Sequence, residues 1–97
     1  MPAYLIVQIN VENTDWVEDY VANVPAIFRK YGGEYLAVSQ TVKQFEGEGK
    51  TPDQVAIFTF PSLEAIEKFM NSEEYMPFKE ARTAASTATV VGLEPRQ

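Results

Sequence analysis

"FRKYGGEYLA", residues Phe28 to Ala37, joins two segments of different period, and the role of its paired glycines decides the fold. A phosphate cradle sets its glycines after a strand and before a helix, so that helical N–H groups face the anion. Here the order is the reverse. Trp16, Val17, Tyr20, Val21, Val24, Ile27, Phe28 and Tyr31 recur at intervals of three and four, which is the spacing of one apolar helix face. Arg29 and Lys30 fall in its last turn, where cations suit the negative end of the helix dipole. Tyr35 to Gln40 then resume a strand pattern. The glycines read as a helix stop, with Gly32 in the left-handed conformation, followed by a reversal into a strand.

Working toward the N-terminus, Asn13 is the expected N-cap of this helix, and Asp15, Glu18 and Asp19 supply acid to its early turns. Pro25 cannot donate to the carbonyl of Val21, which predicts a kink or a break there. Before the helix, Leu5, Val7, Ile9 and Val11 alternate with Tyr4, Ile6, Gln8 and Asn10, giving a strand with one dry and one mixed face. Met1 precedes Pro2 and keeps the proline nitrogen acylated, against a role for it as a catalytic amine.

Working toward the C-terminus, "FEGEGKTPD" from Phe45 to Asp53 combines glycines, a proline and charges of both signs, an exposed loop by composition. Gln54 to Phe60 is a third strand. Ser62 is the N-cap of a second helix carrying Leu63, Ile66, Phe69 and Met70 on its apolar side. Asn71 and Ser72 interrupt it and introduce a short further helix with Tyr75, Phe78 and Arg82, in which Pro77 must lie in the first turn. Thr87 to Leu93, rich in β-branched residues, is the fourth strand.

Two strand–helix–strand units in succession predict an α+β class chain: a ferredoxin-like βαββαβ antiparallel sheet with its helices on one face, forming a single domain over residues 1–97. The other sheet face then needs a cover. A second copy of the chain supplies one if two sheets pack face to face over Ile6, Ile57 and their neighbours, so a homodimer is expected.

Composition restricts the chemistry. The 97 residues contain no cysteine and no histidine, which excludes thiolate nucleophiles, sulfur-ligated metals, the commonest neutral-pH base and the usual ligands of catalytic zinc and haem. No nucleotide fingerprint occurs, and no cofactor or metal is expected. A net charge of -6 repels nucleic acid and anionic membranes, and no apolar run is long enough to span a bilayer. The Met1-Pro2-Ala3 start carries no export pattern, which makes the cytoplasm the expected location.

"MPAYLIV", "VPAIFRKYGGEYL", "FEG", "FPSLEAIEKF", "NSEEY" and "EAR" stand in an order and spacing that resemble the domain of unknown function 1330 family over nearly the whole chain. The resemblance implies membership of the dimeric α+β barrel superfamily, in which two ferredoxin-like sheets face each other. Superfamily relatives include cofactor-independent monooxygenases, isomerases, haem-degrading enzymes and proteins of unknown activity, so the likeness implies an architecture without choosing a reaction. Tyr75 and Arg82 match residues of the family pattern. Val38, Ser39 and Gln40, and Glu48 with Gly49, depart from it, removing a basic residue and an Asp-Trp pair.

The candidate ligand-binding residues are Tyr4, Gln8 and Asn10 on the mixed face of the first strand, Thr59 beside them, and Tyr75 and Arg82. On the strands, an amide, a hydroxyl and an aromatic surface would meet a small organic ligand in a cavity between two sheets, or would be satisfied across a dimer interface. Arg82 would bind a carboxylate or enolate, or pair with Glu73 or Glu74. Glu46, Glu48 and Asp53 crowd one loop without calcium-loop spacing and read as a solvated turn. If the protein is an enzyme, this composition favours cofactor-free proton transfer, cyclisation or oxygenation. A noncatalytic small-molecule-binding or interaction module is the alternative.

Overall fold

A computed structural model describes residues 2–96. Its elements run β1 (Ala3–Val11), α1 (Val17–Lys30), β2 (Glu34–Ser39), β3 (Gln54–Phe60), α2 (Leu63–Met70), α3 (Met76–Ala84) and β4 (Ser86–Leu93). The strands form one antiparallel sheet in the order β2-β3-β1-β4. This is the ferredoxin-like arrangement expected from the two strand–helix–strand units. Met1, on which the acylation of Pro2 rests, lies outside the described residues. None of the described helices is long and apolar enough to cross a membrane.

The alternation of β1 sorts the sheet into two surfaces. Ala3, Leu5 and Ile9 are buried beneath the helices, and their cross-strand partners extend the same face: Ala3 opposite Phe60, Leu5 opposite Phe58, Val7 opposite Ala56. Val24, Ile27 and Phe28 of α1, Ile66 and Phe69 of α2, and Tyr75 complete the core. Phe28 is its aromatic hub. Its ring meets Tyr35 at 5.0 Å, Phe58 at 5.2 Å and Phe69 at 6.2 Å, all nearly edge-on, the orientation that ring quadrupoles favour.

The double glycine closes α1 as its sequence context predicts. Gly32 has φ 83°. Its N–H donates to the Arg29 carbonyl at 3.0 Å, and that of Gly33 reaches back to Phe28 at 2.9 Å, the two bonds of a Schellman cap. The second glycine answers a different need: a Cβ on Gly33 would stand 2.5 Å from the Phe60 ring and 3.0 Å from the Phe28 carbonyl. Gly33 is required by packing, and Gly32 by its backbone conformation.

The expected Asn13 cap of α1 and the alternative of a break at Pro25 need correction. Asn13 does not cap it; its side-chain oxygen accepts the Asp15 N–H at 2.7 Å, while the Thr14 carbonyl takes that of Val17, so a separate turn precedes a helix whose N-cap, Trp16, offers no side-chain acceptor. Pro25 does not divide α1, which continues through it to Lys30. The carbonyl left without its helical donor belongs to Val21, which is 59% exposed; there water can replace the lost bond. Between α2 and α3 the Ser72 hydroxyl donates to the Phe69 carbonyl and accepts the Tyr75 N–H. Pro77 sits in the first turn of α3, where it displaces no helical bond.

The loop from β2 to β3 is fastened at its far end. Asp53 accepts the Val11 N–H on its carboxylate at 3.0 Å and shares its own N–H between the Ile9 carbonyl and the Asn10 side-chain oxygen, at 2.9 and 3.1 Å. On the helix-free face, register aligns Val91, Ile6, Ile57 and Ala37 in an aliphatic row across all four strands.

Candidate functional site

Short side chains occupy the middle of the helix-covered face. Val7, Ala56 and Val90 are cross-strand neighbours there, and α1 faces them with Tyr20, Val24 and Phe28. A cavity of about 410 Å³ remains between helix and sheet. Val21 and Val38 line it and are 59% and 49% exposed, so they form its rim between α1 and β2. Most of the wall is apolar. Its polar side chains are Trp16, Tyr20, Gln40, Gln54, Tyr75 and Arg82, a set without Asp, Glu or Lys.

Four of these gather where α1 meets α3. Trp16 and Tyr20, one helical turn apart, pack edge to face at 5.2 Å. The Tyr20 hydroxyl lies 2.7 Å from that of Tyr75, and the Tyr75 ring rests on Phe69 at 4.4 Å. Burial, and then the neighbouring Tyr75, push the Tyr20 phenol well above the ordinary tyrosine range, against a smaller opposing pull from Arg82. Tyr20 is therefore a neutral hydroxyl rather than a base. The Trp16 indole N–H is buried with no acceptor among the described residues, an arrangement that costs about 1–3 kcal/mol when nothing compensates it.

Arg82 is only 5% exposed, and it takes part in none of the ion pairs among the described residues. The expected pairing with Glu73 or Glu74 does not occur. Arg82 follows Tyr75 by seven residues, two helical turns, and so shares its inward stripe, whereas Glu74 binds Lys30 at 2.6 Å on the surface.

The six candidate residues consequently do not form one site. Tyr75 and Arg82 line the cavity. Tyr4, Gln8, Asn10 and Thr59 lie on the opposite face of the sheet: Tyr4 pairs with Thr59, Gln8 with Val55 and Thr89, and the Asn10 amide oxygen is occupied by the Asp53 N–H. The cavity within this chain lies between helices and sheet, whereas the one expected on the mixed face would be closed by a second chain. Trp16, Tyr20, Gln40 and Gln54 were missed, although the four-residue step from Trp16 to Tyr20 aligns them on α1 and the seven-residue step to Arg82 aligns it with Tyr75.

The sequence pattern of the family described as "Domain of unknown function (DUF1330)" matches residues 2–95. The chain belongs to the DUF1330 family. No curated protein sequence matches this DUF1330 chain. Among solved structures it is similar to a protein of unknown function from Rhodopseudomonas palustris, with 18% identity, 99% of this chain and 83% of that one covered, and a TM-score of 0.82. It is also similar to a dimeric ferredoxin-like protein of unknown function from Jannaschia sp. CCS1, at 15% identity over 98% and 100% of the two chains and a TM-score of 0.72. A third likeness is to SnoaB, a cofactor-independent oxygenase from Streptomyces nogalater, at 18% identity over 99% and 94%, with a TM-score of 0.69. At these identities the DUF1330 chain shares their fold, and its chemistry has to be argued from its own residues.

Proposed function

We propose that the protein is a homodimeric α+β barrel whose protomers each bind a small organic ligand in the cavity between α1 and the sheet. The observation that carries this reading is the mostly apolar space of about 410 Å³ with a polar cluster at one end, the combination typical of small-molecule sites. The aliphatic row Val91, Ile6, Ile57 and Ala37 favours face-to-face pairing of sheets. The dimeric likeness from Jannaschia is in keeping with it.

Catalysis in such a cavity would be cofactor-free oxygenation or ring closure on a substrate acidic enough to ionise by itself. The walls hold no carboxylate or histidine, and Tyr20 is held neutral. Proton abstraction by a side-chain base has no support here, which equally favours the noncatalytic alternative, a module that binds and shelters its ligand. The likeness to a cofactor-independent oxygenase is the reason to test turnover first.

The test is to incubate the purified protein, without added cofactor, with a panel of phenolic and enolisable aromatics and to follow oxygen uptake and ligand absorbance. Turnover or binding should disappear in Val38→Trp, which plugs the rim from an exposed position. Turnover that survives the plug would place the chemistry elsewhere, and binding without turnover would select the noncatalytic module.

A further inference from the structure

One cation lies inside this cavity and no anion accompanies it. Arg82 is 5% exposed and has no carboxylate partner among the described residues, whose ion pairs are Lys30 with Glu74, Lys50 with Asp53 and Lys68 with Glu64. A largely buried arginine on a cavity wall, without a carboxylate beside it, attracts an anion that enters the cavity, because the low-dielectric wall strengthens the attraction. The groups around it are donors. Two hydroxyls in contact share one hydrogen bond and leave one O–H to give away, so the Tyr20 and Tyr75 pair offers a proton outward. The Trp16 indole can only donate and meets no acceptor among the described residues.

We infer that the natural ligand is a singly charged organic acid, a mostly apolar body bearing one carboxylate or similarly delocalised oxygen anion, with the anion seated on Arg82 beside the Tyr20–Tyr75 hydroxyl pair. This rests on the cavity being a ligand site, as proposed above. Charge count limits the ligand to a monoanion: the walls contain one Arg and no Lys, and the whole chain carries -6, which disfavours phosphate esters and dicarboxylates. The planar fork of Arg82 suits two oxygens of one group. Gln40 and Gln54 on the wall are engaged with each other, Gln40 donating to the Gln54 side-chain oxygen at 3.4 Å, and Val7, Val24, Ala56 and Phe58 give no hydrogen bonds, which selects a mostly apolar remainder. Because burial keeps Tyr20 protonated, the hydroxyl pair supports the anion instead of repelling it.

The experiment is isothermal titration calorimetry with 2-naphthoate and with its neutral isostere 2-naphthamide. The wild-type protein should bind the naphthoate at least about tenfold more tightly, the value of a hydrogen bond to a charged group. Arg82→Met should bind the two probes equally, because it keeps an apolar chain of similar length and removes the charge. Equal affinity of the wild-type protein for both probes would overturn the anionic assignment and leave the cavity standing. A naphthoate preference that persists in Arg82→Met would overturn the role of Arg82. Should Arg82→Met fail to fold, Arg82→Lys must keep the preference with weakened affinity, because it retains the charge and loses the fork; undiminished affinity there counts against the inference. Absence of binding by either probe would count against the ligand site itself.

Discussion

The phenol oxygens of Tyr20 and Tyr75 lie 2.7 Å apart, and this contact ties the first turn of α1 to the entry of α3 at the polar end of the cavity. Tyr75 is almost wholly buried and Tyr20 partly so, which shields the bond from competing water.

A double-mutant cycle should expose the coupling. Tyr20→Phe and Tyr75→Phe should each cost about 1 kcal/mol in urea unfolding, because each strands the other hydroxyl. The double variant should cost less than the sum, since neither hydroxyl is then left unpaired. Strictly additive losses would show that the bond contributes nothing.

Alkaline pH should weaken the fold through the same residue. Burial pushes the phenols of Tyr20 and Tyr35 above their ordinary value of 10.0, so folding favours their neutral form. That contribution is complete below pH 10 and is lost as pH rises beyond it toward the folded values. Tyrosinate absorbance should therefore show Tyr20 ionising only as the protein unfolds, and Tyr20→Phe should flatten the decline in stability above pH 10.

The two glycines should fail in different ways. Gly33→Ala pushes a methyl group into the Phe60 ring and the Phe28 carbonyl, an overpacking cost of about 1–3 kcal/mol. Gly32→Ala meets Pro61 at 2.5 Å and must also hold φ 83°, adding about 1–2 kcal/mol of left-handed strain. Gly32→Asn should recover part of that strain, as Gly33→Asn should not, when melting temperatures are compared.

Asp53→Ala should release the loop between β2 and β3. Loss of the acceptor for the Val11 N–H costs about 1 kcal/mol, and amide hydrogen exchange at Val11 should accelerate relative to that at Leu5. Equal protection at Val11 in the variant would mean that the loop is held by other contacts.

Ile57→Lys tests the pairing of sheets. The substitution puts a charge at the centre of the row formed with Ile6 and Val91 and should give monomers in sedimentation velocity at concentrations where the wild-type protein is dimeric. A wild-type monomer at micromolar concentration would remove the barrel from the proposal.

Local pattern made most of the fold legible. The alternation of Leu5, Val7, Ile9 and Val11 gives the dry face, the Ser62 cap fixes the start of α2, where its hydroxyl accepts the Ala65 N–H, and the order at Gly32 and Gly33 separates α1 from β2. The site was less legible because empty space is a property of three elements at once. Nothing in the string around Ala56 says that α1 will cross above it and leave the volume unfilled. Arg82 stood both as an anion-binding candidate and as a partner of Glu73 or Glu74, yet Glu74, just before α3, binds Lys30 while Arg82 lines the cavity; its distance from Tyr75 carried the signal. Asn13 met every chemical requirement of a cap and was taken by a nearer donor, the Asp15 N–H.

The alternation of β1 has a consequence for how such a protein can diverge. Position parity along nine residues decides what a substitution can alter: Leu5, Val7 and Ile9 reshape the cavity beneath the helices, whereas Tyr4, Ile6 and Gln8 reach only the surface on the far side. Variation at one parity leaves the other surface untouched, so the shape of the cavity and the exposed sheet face can drift separately within a single strand, while a slip of one residue in register would exchange them both.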